Sequence, residues 1–118
     1  MVAIARALIE RGSNAMMLKA NSFVNSYHGA PFDKKDDYVR MFNNVDFLVI
    51  DELDKVSKTE ASMNALFALI DERDMQMLPI AIISNCTLES IKLIIGVPAF
   101  DRLNSGAVKI KFNWESNR

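Results

Sequence analysis

The sequence predicts an α/β domain built on a parallel sheet flanked by helices. Two short runs, Asp46 to Asp51 and Pro79 to Ser84, have uninterrupted apolar interiors. That pattern suits strands covered on both faces, as parallel strands are. Strand-like and helix-like segments alternate along the chain, which is the order of linked βαβ units. The 118 residues are 50% hydrophobic and 25% charged, enough to bury one core in a single domain and too apolar for a disordered chain.

Val2 to Arg11 is apolar nearly all round, with Arg6 and Glu10 on one face and Gly12 where a helix C-cap belongs, so it reads as a mostly buried helix. Ala15 to Ala20 is short and apolar and reads as a strand. Asn21 to Pro31 is mixed and turn-rich. Asp33 to Asn44 spaces Tyr38, Val39, Met41 and Phe42 for a one-sided, largely exposed helix. The Asp46–Asp51 strand ends in acid. Ser57 and Glu60 have capping-box spacing, and Met63, Leu66, Phe67 and Ile70 follow at helical intervals up to Asp71–Asp74. After the second buried strand, Thr87 caps a helix over Leu88 to Ile95 that Gly96 closes. Phe100 to Asn104 is a short helix, and Ala107 to Trp114 alternates like a half-covered edge strand.

The formal charge of −1 gives no global field for holding nucleic acid. Charge is nevertheless uneven: residues 33–74 carry eleven acids against six bases, and residues 102–118 sum to +3, so opposite patches can meet across subunits. Cys86 is alone, which excludes an internal disulfide and a cysteine zinc cluster and suits a reducing, cytoplasmic setting. The amino terminus lacks the basic run of a secretory signal. The apolar runs fall well short of the ~18 residues of a membrane span, so no membrane partner is expected.

Chemistry in this fold class gathers at the carboxyl ends of strands. Asp51 and Glu52 follow one buried strand, where Mg²⁺ is typically held by one or two carboxylates plus substrate phosphates. There Asp51 would hold the metal through water and Glu52 would orient or deprotonate an attacking water. The alternative is a solvated acidic turn that includes Asp54. Asn85, after the next strand, can position a water between a phosphate and a carboxylate, or serve as a turn residue. Arg102 and Arg118 are the arginines of the basic carboxyl-terminal stretch, with solvated surface charge as the alternative. His28 lacks a second His or Cys as zinc partner. Gly12, Gly29, Gly96 and Gly106 are isolated, so these residues contain no glycine-rich phosphate cradle.

In this order the pieces resemble the AAA+ ATPase domain of DnaC-type bacterial helicase loaders, a family that includes IstB-type transposition helper ATPases. The resemblance extends over nearly all 118 residues. Asn44 to Glu52 matches the family's Walker B strand, Ile83-Ser84-Asn85 its sensor 1 position, and Phe100-Asp101-Arg102 its arginine-finger segment. Phe112 to Arg118 places Arg118 where the loaders' sensor 2 arginine lies. The resemblance implies ATP and Mg²⁺ as cofactors, with Asp51 and Arg118 binding them and Glu52, Asn85 and Arg102 catalytic. It also implies a replicative helicase, single-stranded DNA and other loader subunits as partners.

The family's first strand and its G-x-x-x-x-G-K-[ST] loop have no counterpart in these residues. The sequence therefore reads as a partial AAA+ domain over residues 1–118, a fragment or a truncated product of a phage or mobile element. Without the loop, hydrolysis by these residues alone is not expected. In the family that strand is central, so the sheet should show an open edge beside Pro79–Ser84 or pair that strand directly with the last one. Apolar edges should make the chain weakly stable and prone to self-association. The implied function is ATP-controlled loading of the replicative helicase onto single-stranded DNA. The alternatives are a transposition helper ATPase and a non-catalytic module that docks on intact loader subunits and offers Arg102 in trans.

Overall fold

The computed structural model describes residues 14–84, 86–105 and 109–112. Strand β1 (Ala15–Lys19) runs directly into helix α1 (Ala20–Gly29), and a 3-10 turn at Phe32–Lys34 leads into α2 (Lys35–Met41). A second 3-10 turn, Phe42–Asn44, precedes β2 (Phe47–Asp51), and a third, Leu53–Lys55, follows it. Next come α3 (Glu60–Met75), β3 (Ile80–Ile83), α4 (Leu88–Ile95), α5 (Val97–Ser105) and β4 (Lys109–Phe112). The four strands form one parallel sheet in the order β1-β2-β3-β4. The predicted helix at Val2 to Arg11 lies outside the described residues.

The two runs read as doubly covered strands are β2 and β3, and all eight side chains from Phe47 to Ile50 and Ile80 to Ile83 are buried. Register pairs Leu48 with Ile80 and Ile50 with Ile82 on one face, against Val49 with Ala81 on the other. The first face carries the main core: Phe23 and Val24 of α1, Val39 of α2, Leu66, Leu69 and Ile70 of α3, Ile91, Ile94 and Ile95 of α4, and Ala99 of α5. Phe47, Val49, Ala81 and Ile83 form a second, smaller cluster on the opposite face. The described helices thus supply one of the two flanking layers that the sequence predicts.

The sheet shows direct pairing of β3 with β4, from Ile80 against Lys109 to Ile83 against Phe112. This is the second of the two arrangements expected where the family's central strand has no counterpart.

Three local readings are corrected. Asn21 to Pro31 is mostly helix rather than turn, because Ala20, Phe23, Val24 and Tyr27 recur at helical spacing and face the core while Asn21, Ser22, Asn25 and Ser26 point to solvent. Burial of that stripe outweighs the weak helix propensity of the polar residues. The segment Asp33 to Asn44 is split into a 3-10 turn, α2 and a second turn, and it contributes to the core. The Phe23 ring stacks on Tyr38 at 5.6 Å and meets Phe42 edge-on at 5.8 Å. The cap of α3 is Thr59, not Ser57: its Oγ1 accepts from the Ser62 amide at 3.1 Å. That phase buries Ser62, Ala65, Leu66, Leu69, Ile70 and Arg73. The Thr87 cap and the Gly96 stop of α4 stand as predicted, with Thr87 Oγ1 accepting from the Ser90 amide at 3.2 Å.

Candidate functional site

Parallel register sets the carboxyl ends of the strands in one row. Lys19 pairs with Asp51, Asp51 with Ile83 and Ile83 with Phe112. Asp51, Glu52 and buried Ser84 therefore share one edge of the sheet, and Lys19 joins them from β1. The carboxylates need no long-range tether, because the buried strand behind them fixes where they emerge.

Glu52 has φ 57° and ψ 44°, a left-handed conformation that is uncommon and strained for a residue with a Cβ. Asp51 helps hold it there: Asp51 Oδ1 accepts the Glu52 amide hydrogen at 2.8 Å. Glu52 Oε2 lies 3.5 Å from Lys19 Nζ, an exposed ion pair in which the lysine side chain is 69% accessible. Strain of this kind, at the end of a buried strand and bracketed by charge, is frequent at functional sites. Asp54 stays exposed in the following turn, so the acidic turn resolves into one half-buried pair and a solvated third member.

Among the described residues no group of three or more His, Cys, Asp or Glu side chains converges to hold a metal ion. The donors at the end of β2 fit a different arrangement. Asp51 Oδ2 has no protein donor among the described residues, and one or two carboxylates are what the protein contributes when Mg²⁺ is held mainly by phosphates and water. Lys19 adds positive charge beside Glu52, which favours an anionic ligand over a bare cation.

Ser84 Oγ accepts from the Cys86 amide at 2.9 Å. Asn85 itself and Arg118 lie outside the described residues. Arg102 is placed elsewhere. Its Nε donates to Asp71 Oδ1 at 3.0 Å and lies 3.8 Å from Asp74 Oδ2, with its guanidinium 6.0 Å from the Phe67 ring centre. The hydrogen bond to Asp71 raises the Arg102 pKa above its ordinary value, with the charges of Asp71, Asp74 and Asp101 adding to it. Asp71 and Asp74 belong to the last turns of α3, near the edge where β3 begins, whereas Asp51 and Glu52 sit where β2 ends. The structure pairs Arg102 with Asp71 and Asp74 and does not bring it to Asp51 and Glu52.

Sequence reasoning missed two residues. Lys19 gave no local sign, since only strand register reveals that it neighbours Asp51. Arg73 was hidden in the charged string Asp71–Asp74, yet it is fully buried. Its Nη1 donates to the carbonyls of Phe42 (2.9 Å) and Val45 (2.6 Å), and its Nη2 to those of Pro79 (2.5 Å) and Asp46 (3.4 Å). Desolvation lowers its pKa to about 10, opposed by the charge of Asp46. Arg73 thus ties α3 to the segments that lead into both buried strands, and it fixes where β2 delivers its acids.

No known family model matches the chain. Over 98% of its length it is 26% identical to the uncharacterized protein YdaV of Escherichia coli K12. Over the same share it is 23% identical to the replicative helicase loader DnaC of that strain and 22% identical to DnaC of Buchnera aphidicola. These alignments take in 48 to 49% of the relatives, so the chain spans about half the length of the proteins it matches. The similarity supports a DnaC-like domain with an α/β fold.

Proposed function

Taking a DnaC-like domain as the premise, we propose that residues 1–118 are part of the AAA+ ATPase module of a replication protein that delivers a ring helicase to single-stranded DNA under ATP control. The observation that supports this most is the carboxyl end of β2, where a strained Glu52 follows Asp51 on a strand buried on both faces. In this reading the work is cytoplasmic, and the partners are a replicative helicase, single-stranded DNA and further loader subunits.

Bound Mg²⁺ supplies charge neutralisation on the transferring phosphate. Asp51 would hold the ion through water, and Glu52 would accept the proton of the attacking water. Asn85 holds that water from the neighbouring strand end, and Arg118 contacts the nucleotide of its own subunit. Arg102 acts on the nucleotide of a neighbouring subunit, where a guanidinium stabilises the charge on the transferring phosphate. Its pairing with Asp71 and Asp74, rather than with Asp51 or Glu52, supports action in trans.

The test uses a protein in which a G-x-x-x-x-G-K-[ST] segment precedes residue 1. Glu52→Gln retains nucleotide binding and abolishes turnover, because the amide keeps the shape and loses the base. Loss of binding and turnover together would make Glu52 structural. Mixing Arg102→Ala subunits with Glu52→Gln subunits restores part of the ATPase, since some interfaces then pair an intact Glu52 with an intact Arg102. Arg118→Ala in place of Arg102→Ala restores little. Equal behaviour of the two mixtures would overturn the assigned roles. The 118 residues alone give no calorimetric signal with ATP and Mg²⁺, and micromolar affinity there would contradict the role given to the loop.

A further inference from the structure

We propose that Asp71 and Asp74 are an internal latch for Arg102, holding its guanidinium on its own subunit until a neighbour's phosphate site draws it away. The proposal rests on the reading of Arg102 as acting in trans and adds a regulatory contact to it. Three contacts define the resting position: the 3.0 Å hydrogen bond to Asp71 Oδ1, the 3.8 Å approach to Asp74 Oδ2 and the Phe67 ring 6.0 Å away. Asp71 and Asp74 are three residues apart on α3, so adjacent turns present both carboxylates to one cation.

The contact is suited to exchange rather than to permanent structure. The Arg102 side chain is 43% accessible and its partners 28% and 31%, and ion pairs open to water are individually weak and easily replaced. A phosphate carries more charge than one carboxylate and accepts a guanidinium through two bonds, where Asp71 takes one from Nε. A neighbouring nucleotide is therefore the stronger partner, and Asp71 and Asp74 the default one. A guanidinium held this way is competent for only part of the time, which weakens productive subunit encounter by the fraction latched.

Two measurements test this. In the 118-residue protein, modification of Arg102 by phenylglyoxal, followed by mass spectrometry, is several-fold faster in Asp71→Asn/Asp74→Asn than in wild type. Asp74→Asn alone gives a smaller acceleration and serves if the double variant does not fold. An unchanged rate overturns the latch. In the protein supplied with the phosphate loop, the double variant reaches half-maximal ATPase at a several-fold lower subunit concentration, with the same maximal rate. A lower maximal rate, or lower stability with an unchanged concentration dependence, would make the contact a structural tie between α5 and α3 and overturn the latch. If Arg102→Ala leaves turnover unchanged, the trans role itself fails, whatever the modification rates show.

Discussion

Glu52 and Arg73 are held by opposite means, one in strain and one by backbone acceptors around both of its terminal nitrogens. A left-handed backbone costs a residue with a Cβ on the order of 1–2 kcal/mol, and glycine almost nothing. Glu52→Gly and Glu52→Ala both delete the carboxylate and its Lys19 contact, so their difference isolates the backbone. Glu52→Gly is predicted to be more stable than Glu52→Ala by about 1 kcal/mol in denaturant unfolding; the reverse order would mean position 52 relaxes out of its left-handed conformation. Arg73 donates to four backbone carbonyls from a fully buried position. Arg73→Met keeps the apolar stem and removes the shared donor from all four carbonyls, of which those of Phe42 and Pro79 retain a backbone donor, from Val45 and Leu48, which predicts a loss of about 3 kcal/mol or more. Urea midpoints within experimental error of wild type would show that water replaces the guanidinium. The acidic pair was legible because an apolar strand run ends at it. Arg73 was not, although its spacing from Leu66, Leu69 and Ile70 continues the buried stripe of α3, because charge outweighed period in the reading.

At the level of elements, helix ends were read best where one residue does one job. Thr87 and Gly96 bracket α4 as their chemistry requires, whereas two hydroxyl residues competed to start α3 and Thr59 prevailed over Ser57. Helix α1 was missed for a related reason: its Asn and Ser residues are turn formers in isolation, and only the Ala20, Phe23, Val24 and Tyr27 stripe reveals the period. Gly96 has φ 89°, and a Cβ there would lie 2.7 Å from Met63 Sδ. Gly96→Ala therefore combines backbone strain with a clash against α3. It is predicted to lower stability by about 1–3 kcal/mol, more than Thr87→Ala at about 1 kcal/mol, measured by thermal or urea unfolding. Shortening the clashing side chain in Gly96→Ala/Met63→Ala should relieve the steric part and leave the strain. A double variant no better than the sum of the single changes would place the cost wholly in the backbone.

For the whole molecule, alternation of buried strands and helices foretold the parallel sheet, while the register that brings Lys19 to Asp51 and β3 to β4 is a long-range property that no local pattern specifies. Among the described residues the sheet order leaves β1 and β4 at the edges, and the two differ in what they offer another chain. Lys109 and Lys111 punctuate β4, and lysine on an edge strand discourages further pairing. β1 carries no charge before Lys19, and Met16 and Met17 are 38% and 37% exposed on it. Self-association, if driven by unpaired apolar edges, should therefore proceed through β1. Met16→Lys/Met17→Lys is predicted to shift concentrated protein toward the monomer in sedimentation velocity while changing unfolding stability by less than about 1 kcal/mol, since neither side chain is buried. An unchanged sedimentation profile would locate association elsewhere. A large loss of stability would instead mean that both methionines belong to the core, contrary to their exposure. The same variant leaves Lys19, Asp51 and Glu52 in place, so the effect of the edge on assembly can be read separately from the chemistry proposed at the end of β2.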